Sequence, residues 1–414
     1  MVSAQWLVLC FVMAALSLLL VYQLHIPLPH DITERSKLQV LELVFRLVYY
    51  YPMKNLATLG IDWQLMWTRN TLDIAPQVIG AFVRYDPALN VTDTTFADVP
   101  VRVYAPTGRR RGDGAVVFFH GGGFVVGSLD GYDNLLRDIA RHVNMVTVSV
   151  DYRLAPEHVF PAGVQDCERA MVHFLTERHG EFGVDPAKVT IMGDSAGGNL
   201  AAVTAHKLRN YTNLPPLKLQ VLLYPLLQYA DLKLPSYQLY YHRYLHTAFL
   251  DPESIARWVL LYLGIEARAD RVQQVLVNKH TTWHAKQSHH YQLLSHDRLP
   301  AEFRNDSFYS PPPSTDGDEE LYGMLEPYLF NPEFSPLMQP DLSDLPKTYI
   351  VTCGYDILRD EAVLYADRLR EQGNNVTWRH YSEAFHAFLN VNSLDLTDQA
   401  LRHLAQFIHD NTFS

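Results

Sequence analysis

Seven short apolar runs punctuate this chain, and their spacing limits what it can fold into more tightly than any other feature. They are "VPVRVYAP" (99–106), "AVVFFH" (115–120), "MVTVSVDY" (145–152), "VTIMGD" (189–194), "LQVLLYP" (219–225), "TYIVTCG" (348–354) and "VTWRHY" (376–381). Each has the length of a strand and is rich in β-branched and aromatic residues. Between most of them lie helical patterns long enough for the crossovers that parallel strands require. The alternation predicts an α/β fold around a mostly parallel sheet. One interval breaks the rhythm, because 226–345 separates two core strands by about 120 residues, too many for a loop. It holds a helical stretch, "LPSYQLYYHRYLHTAFLDPESIARWVLLYLG", and a polar, proline-rich one, "SPPPSTDGDEE". With helical segments over 31–85, it is expected to cover the ends of the sheet. The expected organisation is one domain over 29–414, with cap contributions from 29–95 and 226–345. No internal repeat is found.

The sharpest chemical signal lies in "VTIMGDSAGGNLAAVTAHKL" (189–208), where Gly193, Ser195 and Gly197 stand in GxSxG spacing between a strand and an alanine-rich helix. That context predicts a nucleophile elbow with Ser195 on a sharp turn. The first N–H groups of the following helix favour negative charge beside it. A second signal is "VVFFHGGGFVVGS" (116–128), which ends a buried strand on His120 and then spends three glycines. Glycine removes the Cβ that would keep a reacting group from the backbone. If Ser195 attacks a carbonyl, the N–H groups of Gly122, Gly123 and Ala196 would meet the oxyanion. Such donors are worth about 3 to 4 kcal/mol each in transition-state stabilisation. His120, with Gly121, is expected to support this loop rather than act as a base.

A serine at its ordinary pKa needs a base and an orienting acid, which follow in the order Ser, Asp/Glu, His in this architecture. "VTCGYDILRDE" places Asp356 just beyond a late strand. Asp360 and Glu361 follow within an amphipathic helix, where first-turn acids are also explained by the dipole. A helix N-cap is the competing role for Asp356 itself. Of nineteen histidines, His386 in "RHYSEAFHAFL" sits in the turn after the last strand. His380 falls within that strand, and His403 and His409 in the terminal helix.

Composition removes other classes. A chain of 414 residues, 48% hydrophobic, can bury a large core, and a net charge of −11 argues against a protein that tracks nucleic-acid phosphates. Three cysteines without a CxxC, and no HExxH, point away from a metal site. The histidine-rich "HAKQSHHYQLLSH" (284–296) reads as a solvated insertion, and the glycines at 121–123 are not a P-loop. No cofactor or metal is expected.

The N-terminus is a separate element. Residues 6–24, "WLVLCFVMAALSLLLVYQL", hold only Ser17 and Gln23 as clearly polar. The stretch suffices for one membrane span, and no small-residue cleavage site follows it, so a retained signal-anchor over 1–28 is expected. Sequons headed by Asn90, Asn210, Asn305 and Asn375 run through the body of the chain and favour a lumenal or extracellular orientation.

Five motifs in order, HGGGF, YRLAPE (152–157), GDSAGGNL (193–200), YDILRDE (355–361) and FHAF (385–388), resemble the hormone-sensitive-lipase branch of the α/β-hydrolases. With the anchor they are most similar to the membrane-bound arylacetamide deacetylase-like proteins. The resemblance covers essentially the whole chain. It implies an eight-stranded sheet with a helical cap and a triad of Ser195, Asp356 and His386. It also implies oxyanion donors at Gly122 and Gly123, and a type II protein of the endoplasmic reticulum membrane with a lumenal catalytic body. The implied activity is hydrolysis of carboxylic esters of small molecules or lipids, or of aryl amides. A non-catalytic ligand-binding protein is the alternative, with the plant gibberellin receptors, which lack the catalytic histidine, as its precedent. The chain departs from the family pattern at Ala384 and Ala387, where glycine often flanks the histidine, and at Val125, where some members carry cysteine. In the resembled strand order Cys167 and Cys353 lie several strands apart, and they are expected to stay unpaired.

Overall fold

The computed structural model describes residues 4–52, 65–71, 87–304, 308–311 and 317–413. Helix α1 spans Ala4–Leu24 and α2 spans Arg35–Phe45, the latter continuing through a π-helical turn at Arg46–Tyr50. Among the residues whose side chains are described, no helix is long and apolar enough to cross a membrane.

Eight strands then form one sheet: β1 (Leu89–Phe96), β2 (Val99–Pro106), β3 (Ala115–Phe119), β4 (Val146–Val150), β5 (Val189–Asp194), β6 (Leu219–Leu223), β7 (Lys347–Tyr355) and β8 (Val376–Phe385), in the order 1-2-4-3-5-6-7-8. β2 runs antiparallel to β1 and β4, and every other neighbouring pair is parallel. All residues of β3, β4, β5 and β6 are buried, which is why these runs are continuously apolar rather than alternating. Crossovers are made by α3 (Asp133–Val143), α4 (Ala162–His173) and α5 (Ala196–Leu208). The long interval between β6 and β7 contains α6 (Pro235–Arg243), α7 (Pro252–Tyr262), α8 (Ala269–Leu276) and α9 (Glu319–Leu329). α10 (Arg359–Glu371) crosses from β7 to β8, and α11 (Asp395–Thr412) closes the chain.

Two expectations are corrected. Residues 89–95, assigned by sequence to the cap, belong to β1, one of the two edge strands of the sheet. Its sequence, LNVTDTTF, buries only Leu89 and Phe96. An edge strand open to solvent needs no apolar run, so none announced it. The histidine-rich stretch is solvent-facing at His284, His289 and His290, but His296 is buried. Its Nε2 lies 3.2 Å from Asp231 Oδ2 and its Nδ1 lies 3.1 Å from the Tyr309 hydroxyl. Burying a polar ring costs free energy unless it is bonded, and both nitrogens are. Among the described residues no group of three or more His, Cys, Asp or Glu could hold a metal ion. Cys167 and Cys353 are free and buried. Asn90, Asn210 and Asn375 are exposed, while Asn305 lies outside the described residues.

Candidate active site

The end of β5 turns directly into α5 through Ser195, whose φ of 54° and ψ of −121° hold a non-glycine residue where L-amino acids are strained. The turn is this tight because its neighbours lack side chains. A Cβ on Gly197 would fall 2.0 Å from Phe119 O, so only glycine lets α5 start against the end of β3. Ser195 Oγ lies 3.0 Å from His386 Nε2, and His386 Nδ1 lies 2.9 Å from Asp356 Oδ2. All three side chains are buried.

Asp356 is the residue after β7 and His386 the residue after β8. The two strands pair in parallel with a register shift between Cys353 and Tyr355. The His386 N–H donates to Tyr355 O at 3.2 Å, tying the two strand ends together. Asp356 divides its oxygens: Oδ2 faces the histidine while Oδ1 accepts from Leu358 N at 2.9 Å. The competing helix-cap role is not taken up, since the N-cap of α10 is Leu358 and the second oxygen of Asp356 closes the turn that precedes the helix. Ala387 holds φ 63°, ψ 22°, a left-handed conformation that favours glycine.

The glycine loop approaches from β3. Gly122 has φ +114°, and a Cβ there would stand 2.1 Å from Val126 O. Its carbonyl accepts from Val125 N and Val126 N, which closes the turn. Among the described residues, nothing accepts from the N–H groups of Gly122, Gly123 or Ala196. Three backbone N–H groups, two in the glycine loop and one at the elbow, are thus left without an acceptor among the described residues. Gly121 N donates instead to Asp194 Oδ1 at 2.6 Å, and the Tyr132 hydroxyl donates to Asp194 Oδ2 at 3.1 Å. Asp194, the residue before the serine, so fastens the glycine loop to the elbow. Burial pushes its carboxyl up to about 6. His120 is buried beneath the loop, stacked on Tyr152 with 4.4 Å between ring centroids, and its Nδ1 donates to Gly121 O at 2.8 Å. Burial pushes its pKa down to about 4, so the ring is neutral near pH 7 and serves as a prop.

Asp360 and Glu361 are turned away from the histidine. Asp360 accepts from Ser236 N at 2.6 Å and from Arg359 Nε at 2.7 Å. Glu361 accepts from Leu227 N at 2.6 Å and from Gln228 Nε2 at 2.9 Å. They clamp the root of the long helical insertion to α10.

Three contributors carry no sequence signal of their own. Asp194 passes for part of the GxSxG filler. Trp258 of α7 lies against the glycine loop, where a Cβ on Gly123 would come within 2.3 Å of its ring. Arg69, from the helical residues 65–71, donates to Val125 O at 2.9 Å and Ala155 O at 2.8 Å while pairing with Glu157. Only the folded chain brings such distant residues together. A separate cavity of about 630 Å³ among Glu168, His206, Lys207 and Glu333 includes none of the groups around Ser195.

The fold that brings these groups together has counterparts among known proteins. Residues 116–288 and 290–390 match the alpha/beta hydrolase fold family Abhydrolase_3. The chain belongs to that family. This hydrolase is 36% identical over 392 residues to neutral cholesterol ester hydrolase 1 of Rattus norvegicus, covering 91% of this chain and 92% of the relative. It is 33% identical over 406 residues to arylacetamide deacetylase of Bos taurus, covering 96% and 97%. Among solved structures, an arylesterase superposes with a TM-score of 0.62 at 27% identity over 93% of this hydrolase and 99% of that chain. The likeness to arylacetamide deacetylases carried by the five motifs thus extends along nearly the full length.

Proposed function

We propose that this hydrolase cleaves carboxylic esters through an acyl-enzyme formed on Ser195, with aryl amides within reach of the same chemistry. His386 Nε2 takes the proton of Ser195 Oγ as the oxygen attacks the carbonyl carbon. Asp356 holds the proton on Nδ1 and stabilises the imidazolium that forms. The developing oxyanion is received by the N–H groups of Gly122, Gly123 and Ala196. His386 then protonates the leaving alcohol, and water reverses the sequence to release the acid. The helical insertion between β6 and β7, reaching the glycine loop through Trp258, acts as the cap that shapes the pocket.

The observation that carries this reading is the buried, continuous chain of bonds from Ser195 Oγ through His386 to Asp356, at 3.0 and 2.9 Å. Relatives bearing esterase and deacetylase names support it. A panel of p-nitrophenyl esters of increasing acyl length, run beside Ser195→Ala, tests it. Wild type should hydrolyse at least the short members, and the variant should fall by about 10⁶ in kcat. Equal rates in both would remove the reading.

We also propose that α1 anchors the protein in the endoplasmic reticulum membrane as a type II span, with the catalytic body lumenal. Twenty-one residues reach about 31 Å at about 1.5 Å each, enough for a hydrocarbon core of about 30 Å. Every α1 side chain that is described is exposed, Phe11, Leu18 and Tyr22 among them. A helix with an apolar sequence on all sides, whose described side chains are all exposed, fits lipid rather than water. Exposed Asn90, Asn210 and Asn375 suit glycosylation in the lumen. Carbonate-resistant sedimentation and an endoglycosidase mobility shift are the expected results, and release by carbonate would dismiss the span.

A further inference from the structure

Helix α2 is built inside out. Counting from Leu38, every fourth residue points inward, and these are Leu38, Glu42 and Arg46. Two of the three are charged. They pair with each other, Arg46 Nη2 to Glu42 Oε2 at 3.0 Å, and Glu42 Oε1 accepts from Ala248 N at 3.0 Å. The apolar residues face outward instead: Val40, Leu41, Val44, Leu47 and Val48 are exposed, Val40 by 62% and Val44 by 53%. A helix resting on a soluble protein shows the opposite arrangement, polar out and apolar in.

The position of this face gives it meaning. The N-terminal end of α2, with the residues just before it, is tied to the segment that carries His386. Thr33 N donates to Glu383 O at 2.9 Å, Asp395 N donates to Glu34 Oε1 at 2.7 Å, and the Lys37 ammonium donates to Ser393 O. Across from it, Trp67 Nε1 donates to Val48 O at 3.1 Å, which joins exposed Met66 and Trp67 to the same apolar surface. Two residues on, Arg69 holds Val125 O of the glycine loop. The surface therefore borders both walls of the site, the histidine side and the glycine side. Ten residues, 25–34, separate it from α1.

We infer that the outer face of α2, with Met66 and Trp67, lies in the headgroup and acyl boundary of a lipid bilayer. The site of Ser195 then opens on the membrane and draws long-chain esters directly from it. The inference rests on the hydrolase and anchor readings above and adds a second, in-plane contact to the span. Interfacial helices of this kind bury their apolar face at the acyl boundary, and a run of seven exposed large apolar residues is the sort of surface that marks an interaction site. No acidic side chain is exposed on α2 to oppose an anionic surface, and Lys37 is exposed at its start.

The test uses the full-length protein in phosphatidylcholine vesicles. In a Cys10→Ser background, Val44→Cys carries an NBD label, and Glu177→Cys, exposed in the turn after α4, carries the control label. Doxyl lipids should quench the label at 44 and spare the one at 177. The triple variant Val40→Glu, Val44→Glu, Val48→Glu should lose about tenfold or more of its rate on a vesicle-embedded long-chain ester. It should keep its rate on a water-soluble acetate ester. An unquenched label at 44, or an equal loss on both esters, overturns the inference. A label at 44 that shifts with protein concentration in the absence of vesicles also overturns it, since a second copy would then be the occupant. If the label is quenched but wild type cleaves no ester, the hydrolase reading fails and the membrane contact stands. If carbonate releases the protein while the label is quenched, the span fails and this contact stands alone.

Discussion

The two sides of the site are made by different means. On the β3 and β5 side the proposed working groups are backbone: three N–H groups without an acceptor among the described residues, in turns where a Cβ on Gly122 or Gly197 would collide with a neighbouring carbonyl. On the β7 and β8 side they are side chains, with a carboxylate and an imidazole that meet across two loop ends. The backbone side cannot be altered without moving the chain. The side-chain side can lose its chemistry while keeping its fold. The comparison predicts that substitutions on one side damage geometry and on the other damage proton transfer.

Apart from Ser195 itself, the largest effect is expected at Asp356. Asp356→Asn should lower turnover by about 10⁴ by misplacing the histidine proton, with the melting temperature nearly unchanged. Four residues on, Asp360→Asn should do the reverse, keeping most turnover and losing about 3 kcal/mol of stability as Arg359 is left without its buried partner. Ester kinetics and urea unfolding on both variants decide the matter. If Asp360→Asn is the inactive one, the acid is misassigned.

On the backbone side, Gly122→Ala should cost about 10² to 10³ in kcat. The added Cβ would meet Val126 O, and the loop would swing its donors away. KM should change little, because the donors act on the transition state. A loss confined to KM would argue that the loop binds substrate rather than the oxyanion.

Asp194 joins the two sides and gives a pH signature. Its carboxyl is raised from 3.8 to about 6 by burial. Between those values the folded protein holds a proton that the unfolded chain has released. Stability therefore falls as pH rises through that window, by up to about 3 kcal/mol. Asp194→Asn keeps an acceptor for Gly121 N and removes the titration, so it should gain on wild type between pH 4 and about 6. Parallel unfolding curves for the two proteins across that range would show that Asp194 does not titrate there.

The smallest effect is expected at Ala387. Replacing this left-handed alanine by glycine should stabilise the fold by about 1 kcal/mol or less and leave turnover unchanged. A drop in activity would mean that the strained turn is needed to aim His386.

The two sides also differed in how far they could be read from sequence. Glycines advertise the backbone side, since a triple glycine after a buried strand and a GxSxG before a helix have few other uses. Chain order located Asp356 and His386, but the dual bonding of Asp356 needed the turn into α10. The central runs β3 to β6 were legible because burial on both faces makes them apolar. β1 was not, since an edge strand obeys no such demand. Asp194, Arg69 and Trp258 escaped notice because their partners are distant in sequence, and His296 because a buried histidine looks like a solvated one until Asp231 is placed beside it.

The claim on which the rest depends is that Ser195 is a nucleophile activated by His386. Full-length protein treated with a fluorophosphonate and digested should carry one adduct, on the peptide containing Ser195. Ser195→Ala should carry none, and His386→Ala should label far more slowly. An adduct on another serine, or equal labelling of the His386→Ala variant, would contradict the account.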